Sequence, residues 1–555
     1  MYRSLIATAT AVTVFFCATT AGAQQDTTHK GMPGMKMPAP TKPAKKATPK
    51  PKSVTKTGAR ATTTSKTAPK TTRKSTAASK PRPRSQTTKT QPHDTAHMAM
   101  PMPVDTGHAH HNPSPMQMGD TSRMHMRDTS HVHMQDSSHA QMPGIHGAHR
   151  DTMAMQMSMD GPLGISMERM GSGTTWIPDA VMLPARHAMV GQWSMMLHGF
   201  AFAQYDRQGG TRGRSQFGSL NWAMIMASRS VGAGHLQFRF MPSLDAATVG
   251  KCGYPLLLQS GETCNGQPLV DRQHPHDFFM ELGALYERPL TSKFAMLLYA
   301  APAGEPALGP VAFMHRPSAM DNPSAPLGHH WQDATHISFG VITAGLYTRT
   351  LRLEASAFNG IEPNEHRWDF DPIKINSYST RLTSNPDSSW SLTAGYGMIV
   401  HPETGDPNGK IHRVVASAMH GKRLGPDAQW ATTLIYGANK ERDWSSSALV
   451  ESEMVLDRNN TLFGRAELVQ KSADDLAVAS LPADRLFNVG SASIGYIREL
   501  IRGRGTTIGF GGSGTLNFVP ATLEPFYGSR APLAAMVFVR LRPYHSPHQM
   551  QGSSR

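Results

Sequence analysis

The strongest constraint on this chain is a two-residue alternation over 351–357. Leu351, Leu353, Ala355 and Ala357 fall on one side, and Arg352, Glu354 and Ser356 on the other. Period two is the signature of a strand with two different faces. The alternation closes the run WQDATHISFGVITAGLYTRTLRLEASAFNG (331–360), whose first half also reads as strand, with a turn over 347–350. Each arm matches the ~9–11 residues that carry a tilted strand across a bilayer. By itself the pattern also fits a soluble antiparallel domain with its charged face outward.

Similar arms recur through the body. Strands are predicted over 189–205, 220–228, 234–241, 277–286 and 294–301, with irregular connections at 242–275 and 302–328. Further strands follow at 377–382 and 390–400, and then in a clearer series to the end. In that series Trp430, Thr432, Leu434 and Tyr436 make one apolar row. Glu451 and Glu453 share one face, and Arg465 and Glu467 share a face across the next turn, as suits a water-filled lumen. Between 14 and 16 strands are predicted, and closing them removes the exposed edges of so large a sheet. No stretch holds ~18 consecutive apolar residues, so no membrane helix is predicted. The expected fold is all-β: a closed antiparallel transmembrane β-barrel over 189–544, preceded by a disordered tail. Trp193, Tyr205, Trp390, Trp430 and Tyr436 are candidates for interfacial girdles.

The chain ahead of the barrel has a different composition. Residues 1–23 read as a secretory signal, with Arg3, an apolar stretch over 5–17 and Ala21-Gly22-Ala23 as cleavage site. Residues 24–92 carry 17 Lys or Arg against the single acid Asp26, which accounts for the formal net charge of +15. This Lys/Thr/Pro/Ala-rich segment has almost nothing to bury and is predicted to be a disordered linker. Anionic lipid or cell-wall polymer suits it better than nucleic acid, which an exported chain rarely meets. Residues 161–188 read as a connector and 545–555 as a flexible end, with Phe538 and Tyr544 as candidates for the barrel's aromatic terminus.

Residues 93–160 are dense in thioethers and imidazoles. The methionines are Met98, Met100, Met102, Met116, Met118, Met124, Met126, Met134, Met142, Met153, Met155, Met157 and Met159. The histidines that accompany them are His97, His108, His110, His111, His125, His131, His133, His139, His146 and His149, with His93 at the start. A degenerate repeat runs through the middle as DTSRMHMR, DTSHVHMQ and DSSHAQMP. Leu, Ile, Val and Phe are scarce here, so the methionines have no core to fill. Soft thioethers with imidazoles suit Cu(I) or Ag(I), with Cu(II) or Zn(II) as weaker fits to the histidines. No cofactor is required for folding on this reading. The alternative is a flexible polar segment without a ligand.

Within the barrel the densest chemistry is His274-Pro275-His276-Asp277, with Glu281 beyond it. Met314-His315-Arg316, His329-His330, Asp333 and His336 are of the same kind. His274 and His276 are the candidate metal contacts of the body; loop hydrogen bonding around proline turns is the alternative. The spacing matches no hydrolase zinc motif, and no serine elbow, phosphate loop or dinucleotide fingerprint is present, so no enzymatic activity is expected. Cys252 and Cys264 suit a loop disulfide in an oxidising compartment.

The stretches DRQHPHDFFMELGALYERPL from Asp271 and GPVAFMHRPSAMDNPSAPLGHHWQDATHISFG from Gly309 resemble a group of outer-membrane β-barrel proteins of Gram-negative bacteria. The Met/His leader ahead of a barrel resembles, more loosely, the copper-resistance B class of outer-membrane proteins. That resemblance implies copper or silver sequestration or export, with periplasmic metal-handling proteins as partners and lipid and lipopolysaccharide around the barrel. A general small-solute porin and a surface interaction protein without a pore are the alternatives. The expected location is the outer membrane, with the N-terminal tail in the periplasm. Oligomeric state is left open.

Overall fold

The computed structural model describes residues 160–544 apart from 401, 403–408 and 504. The signal sequence, the basic linker, the Met/His tract through Met159 and the segment 545–555 lie outside the described residues.

A short strand β1 (Ala185–Val190) turns into β2 (Trp193–Gln208), followed by β3 (Ser215–Val231) and β4 (Gly234–Pro242). A separate hairpin, β5 (Tyr254–Cys264) and β6 (Gln267–Gln273), precedes β7 (Phe279–Pro289), β8 (Ala295–Gly304), β9 (Ser338–Tyr347) and β10 (Leu351–Phe358). The remainder is β11 (Ser377–Ser384), β12 (Trp390–Val400), β13 (Lys410–Gly425), β14 (Ala428–Lys440) and β15 (Trp444–Val455). The last strands are β16 (Asn460–Ser472), β17 (Leu486–Gly503), β18 (Thr506–Phe518) and β19 (Leu533–Pro543). Leaving out β1, β5 and β6, each strand pairs antiparallel with its successor, and β19 returns to β2 with Ala534 opposite Gln208 and Leu541 opposite Ala201. The result is a closed 16-stranded barrel. Strand β1 occupies the part of the β2 edge that β19 leaves free, with Ala185 opposite His198.

The two faces are inverted relative to a soluble sheet. Leu353 is 57 % exposed, Ile494 70 % and Phe217 74 %, all on the outside. Arg352, at 2 %, and Glu354, at 1 %, point inward from the same strand. Bare leucine and phenylalanine outside and buried charge inside is stable only if the outside is hydrocarbon. This is an outer-membrane barrel. No helix among the described residues is long and apolar enough to cross a membrane, and the strands do the crossing.

One end of the barrel has short turns, at 232–233, 348–350, 426–427 and 456–459. The other end carries the long connections 243–278, 305–337, 359–376, 473–485 and 519–532. In bacterial barrels the short-turn end faces the periplasm.

The lumen, expected to hold water, is instead packed with chain. Residues 161–183 thread it from the short-turn end. Arg352 Nη1 donates to Thr174 O at 2.6 Å and Arg381 Nη2 to Thr174 Oγ1 at 2.8 Å. Ser391 donates to the Trp176 carbonyl and Asn385 to the Ile177 carbonyl, both at 2.9 Å. The connection 305–337 folds inward from the other end. Glu453 accepts the Asp321 N–H at 2.9 Å, and Glu467 accepts the Leu327 N–H at 2.7 Å. The wall charges that were expected to hold water hold backbone instead, because the inserts bring unpaired N–H and C=O groups that need buried partners. Gly437 of β14 permits this approach, since a Cβ there would overlap the Trp331 carbonyl oxygen.

Two further expectations change. The first half of 331–360 is strand only from Ser338; residues before it form two helical turns, His329–Gln332 and Ala334–His336, inside the lumen. The stretch 242–275 contains the β5–β6 hairpin rather than only loop, and the expected Cys252–Cys264 disulfide is present beside it, with Cα atoms 5.4 Å apart.

Candidate functional site

Two histidine-bearing segments far apart in sequence meet inside the barrel. His274 and His276 flank Pro275 on the extended segment that leads from β6 into β7; the Phe278 N–H donates to Arg367 O at 2.7 Å and holds the segment against 359–376. His315 closes the single turn Phe313–His315, while His329, His330 and His336 stand on the helical turns just ahead of β9. Ring centroids are 5.1 Å apart for His329 and His336, 5.2 Å for His329 and His330, 5.7 Å for His276 and His336 and 5.9 Å for His274 and His329.

Five of the six rings make a polar contact at Nδ1, and His315 makes its contact at Nε2. His329 contacts Asp333 Oδ1 at 2.7 Å, one helical turn away. His330 contacts Glu362 Oε1 at 3.0 Å, and His276 contacts Asp245 Oδ2 at 2.8 Å. His336 Nδ1 donates to the Asp333 carbonyl at 2.8 Å, and His274 Nδ1 lies 3.3 Å from Glu262 Oε1. Arg367 binds Asp277 at 3.0 Å and also pairs with Glu262. The Nε2 atoms of His274, His330 and His336 are buried without a hydrogen-bond partner.

Burial sets the charge state of the cluster. It pushes His274 well below the usual imidazole range, reinforced by the Arg367 guanidinium and the neighbouring rings. It pushes His336 down to about 3. His329 is lowered for the same reason, although Asp333 opposes the shift. Burial also opposes protonation of His330, but the Glu362 carboxylate outweighs it and raises that ring. Glu262 is pushed up to about 8 by burial, against the pull of Arg367. At neutral pH most of these rings are therefore uncharged and present a lone pair or an N–H, not a cation.

The sequence reading linked His274 and His276 to His329, His330 and His336 only by residue type; the structure brings them together. Among the described residues, no three His, Cys, Asp or Glu side chains are arranged to share a metal ion. His276 is turned to a carboxylate instead. Asp245, Glu262, Glu362 and Arg367 were not singled out from sequence, since isolated charges in loops carry no spacing signal. His198 was also missed. Its inward parity beside Phe200 and Phe202 in β2 is the one signal that would have found it. The candidate residues between His97 and Met159 lie outside the described residues.

No protein-family model matches the chain, and no curated protein matches it. Among solved structures it is similar to OmpT, an outer membrane protein of Vibrio cholerae, at 8% identity over 65% of this chain and 100% of that chain, with a TM-score of 0.38. It is similar to an anion-selective porin from Comamonas acidovorans at 9% identity, over 63% of this chain and 99% of that chain, with a TM-score of 0.38. OprB of Pseudomonas putida gives 9% identity, 63% and 94% coverage and a TM-score of 0.38. At such values the functional reading has to come from this chain's own residues.

Proposed function

We propose that this protein is a selective outer-membrane channel for small solutes, closed in the described state by its own chain. The observation that carries the reading is the way the lumen is filled. The barrel wall grips residues 161–183 and 305–337 by buried polar side chains as well as by apolar contacts, such as Trp176 in one cluster with Tyr347 and Phe358, and Phe313 and Trp331 in another with Trp222 and Phe463. The polar part of that grip exchanges for water at little net cost, and the apolar part keeps openings rare. A cavity of about 450 Å³ already opens at the short-turn end, lined in part by Glu168, Arg423, Asp427, Arg458 and Arg542. Both charge signs at that mouth fit passage of small polar solutes. Catalysis has no part in this reading.

Planar-bilayer conductance of the full chain is the test. Wild type is expected to show rare, small openings, and variants that weaken the grip on either insert are expected to open more often. A variant that folds as a barrel, releases its insert to protease and still conducts nothing overturns the proposal.

A second reading concerns the Met/His tract. The tract, 93–160, is followed directly by the described chain, in which Leu163 O accepts from Arg349 Nε at 2.8 Å on the short turn 348–350. On this reading the tract would act as a soft-metal store feeding copper or silver sequestration or export. Metal titration tests it: several equivalents of Cu(I) or Ag(I) per chain are expected, and loss of the excess when the tract methionines become leucine.

A further inference from the structure

Apart from the histidine cluster, the lumen holds a second group of donors, with a softer character. His198 of β2 is 1 % exposed, and its Nδ1 lies 2.7 Å from the Pro184 carbonyl oxygen. A carbonyl only accepts, so Nδ1 carries the hydrogen and Nε2 of the neutral ring presents a lone pair. That Nε2 is buried and without a partner. The His315 ring lies 5.4 Å from the His198 ring, centroid to centroid, and is also 1 % exposed. His315 Nε2 is 3.3 Å from the Met241 thioether sulfur. The indole of Trp222 packs against both rings, tilted at 4.4 Å from His315 and edge-on at 4.9 Å from His198, centroid to centroid. Trp222 also borders a cavity of about 30 Å³ that Met314, Met320, His274 and His276 help to line.

We propose that His198 Nε2, His315 Nε2 and Met241 Sδ, flanked by Trp222, form a lumenal binding site for a soft monovalent cation of the Cu(I) or Ag(I) class. Two imidazole nitrogens and a thioether are the donors such ions prefer over oxygen. A nitrogen–sulfur separation of 3.3 Å is what two ligands of one ion show when each metal bond is about 2 Å long. No carboxylate belongs to the donor set, so a bound dication would remain uncompensated in a buried place, while a single charge is tolerated and gains from the adjacent indole. The lumenal cation that His315 feels, Arg239, is already held by Gln237 at 2.5 Å and Glu281 at 3.4 Å. Burial holds the His315 ring well below the ordinary imidazole range, so the ring is neutral at neutral pH; the ion takes the place of the hydrogen that Nε2 shares with the thioether, and the ring's one hydrogen moves to Nδ1. Two imidazoles, a thioether and an indole in mutual contact, with the Nε2 of His198 left without a partner, are more than aromatic packing requires. The site names a ligand for the lumen of the channel proposed above, and so rests on that lumen being reached by solutes. Binding is read without conduction, which keeps the two failures apart.

The experiment uses the full mature chain in chloride-free detergent, with free Ag(I) set by a competing amine. All eight tryptophans lie at Trp176 or beyond, so tryptophan emission is blind to direct contacts within the Met/His tract. A saturable quench is expected. It should shrink in Trp222→Phe, and its midpoint should move about tenfold or more to higher Ag(I) in Met241→Leu and in His315→Gln. Heat-modifiable migration reports folding, and Met241→Leu, which conserves volume, keeps the test alive if His315→Gln does not fold. No saturable quench in wild type overturns the proposal, as does an unmoved midpoint in folded Met241→Leu. An equal response to Zn(II) overturns the assignment to a soft monovalent ion. Ag(I) binding without conductance in any variant would leave the site standing and sink the channel.

Discussion

Glu451 of the barrel wall and Arg316 of the inward-folded connection are joined by an ion pair, Nε to Oε1 at 2.6 Å, with side-chain exposures of 1 % and 0 %. The other carboxylate oxygen of Glu451 takes Arg465 of the neighbouring strand at 2.9 Å. One wall carboxylate therefore bridges the sheet to the chain that fills it. Breaking a buried pair from one side leaves an uncompensated charge, at a cost of about 3–5 kcal/mol. Arg316→Met leaves Glu451 still paired with Arg465, so the loss should fall mainly on the insert. Limited proteolysis should cut 305–337 faster in Arg316→Met, and single-channel recordings should show more frequent opening, with heat-modifiable migration unchanged.

The two faces of β10 make an opposite pair of expectations. Leu353 meets lipid, and an arginine there should destabilise the barrel by about 2–4 kcal/mol if it lies near the bilayer midplane. Arg352→Leu keeps the strand alternation but removes the donor to Thr174 O and the partner of Glu287 at 3.3 Å. It should loosen 161–183 while the barrel still closes. Urea unfolding in lipid vesicles separates these outcomes: a lowered midpoint is expected for Leu353→Arg, and increased protease access to the N-terminal insert for Arg352→Leu.

Acid should loosen the lumen. His274, His329 and His336 are held below the ordinary imidazole value of 6.5, His336 at about 3. Once released, these rings titrate near 6.5, so their contribution is fully present above that pH and is lost as pH falls toward the folded values. His330, raised by Glu362, and Glu262, pushed up to about 8 by burial, have the opposite sign: their contributions are present below 6.5 and 4.5 respectively and are lost as pH rises through the folded values, so they oppose the histidines. Opening frequency should therefore climb between about pH 6.5 and 3. The double variant His274→Gln, His336→Gln should flatten that rise, and an unchanged profile would show that other groups control it.

Cys252 and Cys264 close a loop of sequence separation 12, and such a crosslink is worth roughly 2–3 kcal/mol in the chain-entropy account. The bond lies next to the β5–β6 hairpin and outside the barrel wall. Reduction, or Cys252→Ser with Cys264→Ser, should increase hydrogen exchange over 243–278 and leave the exchange of β10 to β19 unaltered.

Much of the barrel was legible from residue order. The alternation at Leu351, Arg352, Leu353 and Glu354 reports a strand between two environments whatever its neighbours are, because strand parity is a local property. Recurrence of the pattern up to Leu533–Pro543 indicated strand number closely. The Glu451–Arg465 pairing across the 456–459 turn was readable for the same reason, since hairpin register follows from turn length. Signals of this kind need only a few neighbouring residues.

What the lumen contains was not legible. His198, Met241 and His315 are separated by long stretches of chain, and their meeting depends on the β2–β3–β4 pairings and on the path of 305–337 through the interior. The same holds for His274 with His329, and for Thr174 with Arg352. The sequence by itself determined the alternating strands, the direction of their faces and a leader unlike the barrel. Only the tertiary structure decided that the charged face meets folded-in chain and not water, because burial of that face depends on contacts between segments whose composition gives no hint of where the backbone will pass.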